Sequence, residues 1–395
     1  MYVHRQLEAE ITKHLAKDKS ILLLGSRQTG KTTMMAQLPV SLSISFARPE
    51  KRLAYEQRLD LLATQVEALQ TTDRKKPLVI IDEVQKIPFI MDAVQDLIDR
   101  NIAQFILSGS SARKLKRGKT INLLPGRVIP LHCDPLMLSE CSALPNTIED
   151  LLFHGSLPAV YLETDHAYKN RLLEAYVGIY LEEEIKAEAL VRELGTFNRF
   201  LMLAAIESGH ILNISKVSQD IGVTRKTVQN YYEILEDCLI AHRIEPLSKS
   251  LSRKRLTKSP KYLLFDMGVR RVAAKEPATY PEKYMGHLFE QWVGLELLHM
   301  LRFQPGPNAL NFWHDHTGPE VDWVVSLAGQ YIPIEVKWTP YPSLADAKHL
   351  LTFLSEYDNS TMGYIVCRAP MRAKLADNIM VIPWQELGSV VEICE

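Results

Sequence analysis

The stretch that most constrains the fold of this 395-residue chain is Ile21-Leu-Leu-Leu24, followed at once by Gly25-Ser-Arg-Gln-Thr-Gly30-Lys31-Thr32. A strand-sized apolar run enters a glycine loop of the form G-x-x-x-x-G-K-[ST], and helix-compatible residues follow it. Such a loop curls its backbone N–H groups around a phosphate. Lys31 then reaches the β- and γ-oxygens, and the Thr32 hydroxyl ligates magnesium. Gly25, Ser26, Arg27, Gln28, Thr29, Gly30, Lys31, Thr32 and Thr33 are therefore the expected nucleotide-binding residues, with ATP and Mg2+ as the expected ligands.

A second apolar run, Leu78-Val-Ile-Ile, ends in Asp82-Glu83. Asp82 is expected to hold magnesium through water, and Glu83 to polarise the attacking water as general base. The alternative is a plain Asp-Glu turn after a core strand. A third run, Phe105-Ile-Leu, ends in Ser108-Gly-Ser110-Ser111, where one hydroxyl is placed to orient that water. The residues do not choose among these serines, Ser108 being the first candidate, and a simple turn is the alternative. Further runs at Val40–Phe46 and Val128–Leu131 alternate with helical stretches, which predicts a parallel sheet covered on both faces.

The loop Gly25–Thr32 and the strand Ile80-Ile-Asp-Glu-Val-Gln85 resemble the AAA-type P-loop ATPases of bacteria and archaea. They are most similar to a group with GSRQTGKT-like loops, an IIDEVQ-like strand and a carboxy-terminal domain of poorly known function, and the resemblance spans essentially the whole chain. It implies a homo-oligomer, as large as a hexameric ring, in which an arginine from a neighbour completes each site. Arg127, after Leu124-Pro-Gly, stands where that finger sits in this class; Arg113 is the second candidate, and an ordinary surface arginine the alternative.

From Asn213 to Tyr231 the chain reads as helix, tight turn at Gly222, then helix. Thr224 is placed to cap the second helix, which leaves Arg225, Lys226, Gln229 and Asn230 near its exposed start, side-chain types that contact phosphates and base edges. The alternative is a helical pair used for protein contacts. The resemblance places a winged helix here. Lys249, Arg253, Lys254, Arg255, Lys258 and Lys261 follow with no acidic residue among them, and Arg113, Lys114, Lys116, Arg117 and Lys119 form a second basic run. Because the net charge is only -1, nucleic-acid binding has to come from such local clusters. The expected partner is DNA in preference to RNA, with Arg225, Lys226, Gln229, Arg253, Lys254 and Arg255 as its contacts.

In the last quarter Asp322, then twelve residues, then Glu335-Val-Lys337 fits the D…(D/E)xK pattern of the restriction-endonuclease-like fold. Glu335 and Lys337 share a strand face, being two apart. Asp322 and Glu335 are then expected to share magnesium, with Lys337 steadying the attacking water and Glu290, on an upstream helix, as an additional carboxylate. A salt-bridge ladder between adjacent strands is the alternative. His314 and His316 read as solvated loop residues.

The expected fold class is α/β: a P-loop NTPase with parallel sheet and helical lid, a winged helix-turn-helix, and a C-terminal α/β restriction-endonuclease-like (PD-(D/E)xK) domain. The divisions fall at 1–140, 141–205, 206–279 and 280–395. Five cysteines without a CxxC pair, and no apolar run long enough to span a bilayer, lead to the expectation of a cytoplasmic protein away from membranes. The function expected is ATP-driven remodelling of or translocation on DNA with Mg-dependent endonuclease activity. An ATP-dependent regulatory or defence switch that binds a protein partner through an inactive nuclease-like domain is the second reading. A P-loop enzyme acting on a small molecule is the third.

Overall fold

The computed structural model describes residues 1–69, 76–110, 124–141, 147–181, 194–247, 256–316 and 318–392. Ser111, the basic run 113–119, and Lys249, Arg253, Lys254 and Arg255 lie outside these residues.

After helix α1 (Gln6–Ala16) the chain enters β1 (Ser20–Leu24), all five residues of which are buried. The glycine loop leads into a short α2 (Lys31–Met35), then β2 (Leu42–Ser45), α3 (Pro49–Gln57), α4 (Leu61–Glu67) and β3 (Leu78–Asp82). Next come α5 (Ile90–Asp99), β4 (Gln104–Gly109) and β5 (Val128–His132). The sheet order is β2-β3-β4-β1-β5, and every pairing is parallel. Alternation along the strands covers both faces: Leu22, Val79, Ile81, Phe105 and Leu107 join one cluster, and Ile21, Leu23, Ile80 and Ile106 the other. Because β4 lies between β1 and β3, its C-terminal end stands between the glycine loop and Asp82.

The helical section comprises α6 (Ile148–His154), α7 (Pro158–Tyr161), α8 (His166–Ala175), a π-helical turn Tyr176–Leu181, α9 (Leu194–Ile206), α10 (Ile214–Ile221) and α11 (Arg225–Asp237). Asn213 caps α10, Gly222 supplies the left-handed turn at φ 72°, and Thr224 accepts the Thr227 N–H to cap α11. Leu157, Val160 and Leu173 pack in one core with Phe197, Phe200, Val217, Val228 and Tyr231. The segments expected as lid and helix-turn-helix therefore share a single core. Helix α6 faces elsewhere: Ile148, Leu151 and Leu152 join the core of the C-terminal part. Strands β6 (Ala241–Pro246) and β7 (Lys261–Leu264) form an antiparallel hairpin after α11, and Ile211 bridges to Lys261.

The chain then forms α12 (Met267–Ala273), α13 (Glu282–Leu301), β8 (Ala309–His314), β9 (Glu320–Leu327), β10 (Gln330–Val336), α14 (Lys348–Glu356) and β11 (Gly363–Cys367). Strands β12 (Ala373–Ala376) and β13 (Ile379–Pro383) and helix α15 (Ser389–Glu392) complete it. The second sheet has the order β12-β13-β11-β10-β9-β8-β6-β7, so the hairpin after α11 extends the C-terminal sheet. β8, β9 and β10 are antiparallel neighbours, whereas β11 returns parallel to β10 after the α14 crossover. Helix α13 lies against this sheet at Gly294, where a Cβ would stand 2.5 Å from the Trp323 ring. No helix among the described residues is long and apolar enough to cross a membrane.

Candidate functional site

The glycine loop bends away from the end of β1 because Gly25 has no room for a side chain; a Cβ there would lie 2.3 Å from the Cys133 carbonyl oxygen. Gln28 and Gly30 take φ of 61° and 93°, which turns the backbone into α2. Arg27, Gln28, Gly30, Lys31, Thr32 and Thr33 line a cavity of about 680 Å3. Gly25, Ser26 and Thr29 form the buried wall behind it: Thr29 Oγ1 donates to the Ser26 carbonyl (3.0 Å), and Ser26 Oγ to that of Leu239 (2.5 Å). Lys31 folds back over the loop, with Nζ donating to the carbonyls of Gly25 (2.7 Å) and Ser26 (2.8 Å). Val3, Leu136, Pro158 and Leu162 give the far side of the cavity an apolar wall.

Asp82 is the hinge of the polar side. Thr32 Oγ1 donates to its Oδ2 at 3.1 Å, and Ser108 Oγ donates to its Oδ1. The serine that touches the carboxylate at the end of β3 is thus Ser108. Glu83 turns through a left-handed conformation at φ 60°, which places its carboxylate beside Gln85 Nε2 (3.0 Å) and Lys86 Nζ (3.4 Å). Gln85 also donates to Ser110 Oγ (3.1 Å). The hydroxyl and carboxylate donors of Thr32, Asp82 and Glu83 are hard oxygens, the set that suits Mg2+. Together with Lys31 and the apolar wall they fit a nucleoside triphosphate.

Two contributors were given no role by the sequence. Arg5 is buried and braces the loop from behind, donating to the Thr29 carbonyl (2.9 Å), to Glu140 (2.9 Å) and to the Asp134 carbonyl (2.8 Å). Gln85 belongs to the run Asp82–Gln85, but nothing in that run shows that it links Glu83 to the end of β4. Arg127 lies far from the loop: Val128 pairs with Ser20, at the opposite end of β1 from Gly25. Its guanidinium forks onto Asp99 at 2.6 and 2.9 Å.

Arg225, Lys226, Gln229 and Asn230 are exposed on the first turns of α11, and Lys258 is exposed as well. Lys261, read from sequence as part of a phosphate-tracking run, is instead buried. Its Nζ donates to Glu290 Oε1 (2.9 Å) and stands about 5 Å above the Phe312 and Trp323 rings. The register of β7 in the sheet turns this lysine inward.

Around Glu290 the C-terminal residues come together. Asp322 Oδ2 accepts the Val336 N–H (2.8 Å), and Lys337 Nζ donates to Glu335 Oε2 (2.7 Å). Burial first, and then the Asp322 charge, push the carboxyls of Glu335 and Glu290 above the usual range. Glu335 Oε1 is buried without a hydrogen-bond partner. An orphaned carboxylate oxygen beside a second carboxylate fits a hard divalent cation. His314, expected in a solvated loop, is instead the half-buried last residue of β8, with Nδ1 3.3 Å from Glu320, whereas His316 is exposed beyond the strand.

Three family models match successive parts of the chain. Residues 17–142 match the family described as AAA domain, residues 145–279 a domain of unknown function (DUF8612), and residues 285–387 another (DUF4143). An uncharacterized protein of Mycobacterium tuberculosis is 24% identical over 98% of this chain and 86% of its own length. An uncharacterized protein of Methanocaldococcus jannaschii is 23% identical over 65% of this chain and 63% of its own. Among solved structures, the Aeropyrum pernix Orc1 protein in complex with DNA matches over 70% of this chain and 94% of its own. That match has 13% identity and a TM-score of 0.26. Residues 17–142, with their parallel sheet, glycine loop and paired strand carboxylates, are an AAA-type P-loop ATPase domain.

Proposed function

We propose that the chain hydrolyses ATP with Mg2+, binds DNA through α11 and the hairpin that follows it, and cleaves DNA at the Asp322–Glu335–Lys337 site. The observation that carries the first part is the grip of Thr32 and Ser108 on the two oxygens of Asp82. When bound, Mg2+ supplies charge neutralisation at the phosphates, held by Thr32 and, through water, by Asp82. Lys31 leaves its two carbonyl partners for the phosphates. Glu83 accepts the proton of the attacking water, Gln85 orienting its carboxylate, while Ser108 fixes Asp82.

For DNA, a helix-turn-helix followed by a two-stranded hairpin has the topology of a winged helix. Exposed Arg225, Lys226 and Gln229 at the capped start of α11 suit phosphates and base edges. For cleavage, the order α13–β8–β9–β10–α14–β11 is that of a restriction-endonuclease-like core, with Glu290, Asp322, Glu335 and Lys337 at one site. Asp322 and Glu335 would hold Mg2+, which activates water there, and Lys337 steadies the negative charge that develops on the phosphate.

One observation favours a second reading, a protein-binding switch with an inactive nuclease-like domain. Glu290 is already engaged by Lys261, so only two carboxylates are left for a metal. The deciding experiment is cleavage of single-stranded, duplex, forked and four-way-junction DNA with Mg2+ and ATP by wild type, Lys31→Ala and Lys337→Ala. The proposal predicts cutting that disappears in Lys337→Ala and ATP turnover that disappears in Lys31→Ala. DNA-stimulated ATP turnover without cutting leaves a DNA motor with a nuclease-shaped binding platform. No response to DNA in either assay overturns the proposal in favour of the protein-binding switch.

A further inference from the structure

Away from both candidate sites, Asp134, His242 and His299 converge. One ligand atom from each lies within 4.8 Å of the others. They come from three parts of the chain: Asp134 follows β5 of the ATPase domain, His242 lies in β6, and His299 is in the last turn of α13. His299 is 3% exposed, yet neither of its ring nitrogens has a hydrogen-bond partner, and His242 Nε2 has none either. Buried imidazoles without hydrogen bonds are costly unless something else engages them.

We propose that Asp134, His242 and His299 form a transition-metal site, with Zn2+ as the fitting ion, that ties the ATPase domain to the hairpin and to α13. Two imidazoles and one carboxylate are a donor set for zinc, with the fourth position left to water. His299 Nε2 stands 3.8 Å from Asp134 Oδ1, too far for a hydrogen bond. Donors each about 2 Å from a tetrahedral ion stand roughly 3.3 Å apart, so this pair has to close by about half an ångström and the others, all within 4.8 Å, by at most about 1.5 Å. The two rings meet edge to face, 6.2 Å between centroids at 83°.

The neighbours define what a metal has to displace. Arg302 donates from a single nitrogen, Nη1, to both oxygens of Asp134 and supplies the positive charge there. Its side chain is 21% exposed at the C-terminal cap of α13, so it can release one oxygen toward solvent. His132, two residues before Asp134, acts electrostatically on all three candidate ligands. The comparable group Asp150, His154 and His166 is weaker. Its His166 side chain is 71% exposed, and His154 Nδ1 already has a hydrogen-bond partner in Asp150, so it lacks the buried, unpartnered ring that His299 presents.

The test uses the full chain, stripped of metal with a chelator and titrated with Co2+ as a spectroscopic probe, with Zn2+ in competition. A four-coordinate site with two imidazoles gives an intense visible ligand-field band. Cobalt held by oxygen donors alone, as at Asp82 or Asp322, gives only a weak one. We expect a one-equivalent band that Zn2+ abolishes and a melting temperature that rises with Zn2+. In His242→Gln and in His299→Gln, affinity should drop by about 100-fold or more, with the far-ultraviolet circular dichroism of the metal-free proteins unchanged. Arg302→Ala removes the competing cation and should bind Co2+ more tightly than wild type. Absence of the band in wild type, or its persistence in both histidine variants, overturns the proposal. Should the histidine variants fail to fold, Arg302→Ala decides alone: unchanged or weaker binding overturns the site.

Discussion

What a single carboxylate of this chain can do depends on its immediate partners. Asp82 is held at both oxygens, so its orientation is set before any phosphate arrives. Glu83, one residue on, is turned aside by its left-handed backbone toward Gln85 and Lys86. Glu83→Gln should lower kcat for ATP by 10²-fold or more, with nucleotide affinity within about threefold of wild type. Gln85→Ala should lower kcat by about tenfold at unchanged KM; steady-state turnover together with a fluorescent-nucleotide titration separates the two effects. Glu296 is a different case: buried on α13, it accepts the Leu138 N–H at 3.0 Å, and burial pushes its carboxyl up to about 8. With the folded value above the unfolded one, the folded state keeps a proton that the unfolded chain loses. Its contribution therefore falls as pH rises between roughly 4.5 and 8, by at most about 1.4 kcal/mol per unit. Glu296→Gln should flatten the loss of melting temperature from pH 5 to pH 8 and stabilise the protein at pH 8. An unchanged thermal profile would mean that Glu296 is ionised in the folded chain.

Helix α11 shows how an element divides its work between core and surface. Val228, Tyr231, Tyr232 and Leu235 bury one face against the helical core. The opposite face leaves Arg225, Lys226 and Gln229 in solvent, with Glu233 one turn further on. The core face sets the position of the helix, so substitutions on the exposed face should leave folding intact. Replacing Arg225 and Lys226 together by alanine should weaken DNA binding and reduce the slope of log K against log salt by about 1 to 2. Fluorescence anisotropy at several salt concentrations measures this, and an unchanged slope would move the DNA contact away from α11. The C-terminal turn of α11 leads to Leu239, whose carbonyl accepts Ser26 Oγ of the glycine loop. The element that offers the basic face is thus one hydrogen bond from the nucleotide loop.

At the scale of the whole molecule, the two sheets do opposite things. The parallel sheet gathers its polar residues at the C-terminal ends of β1, β3 and β4, whereas Arg127 sits at the other end, beside Ser20 on β1. Four residue steps along β1 at roughly 3.3 Å each put it about 13 Å from the loop of its own chain, before counting the turn. As the trans-acting finger expected from the sequence, Arg127 would serve the nucleotide of a second copy, and it would have to leave Asp99 to do so. Arg127→Ala should therefore lower ATP turnover by about 100-fold or more without weakening nucleotide binding. Mixing it with Lys31→Ala should restore part of the activity that neither has alone, because one supplies the loop and the other the arginine. Full activity of Arg127→Ala by itself would place the finger elsewhere. The eight-stranded sheet, in contrast, takes up β6 and β7 and binds the helical section to the C-terminal part.

The residues themselves determined the local features. The apolar runs at Ile21–Leu24 and Leu78–Ile81, the glycine loop, the Gly222 turn and the Glu335–Lys337 pair all depend on neighbours within a few positions, where strand period and turn chemistry act directly. Choosing Ser108 over Ser110 required the strand order, because only a β4 lying between β1 and β3 brings its end to Asp82. Arg5 bracing Thr29, Lys261 turned inward onto Glu290, and Asp134 meeting His242 and His299 join residues from 24 to 165 positions apart. Nothing in local spacing encodes those meetings. They are decided by the register of two sheets and by which faces bury together, quantities that exist only once the chain has packed.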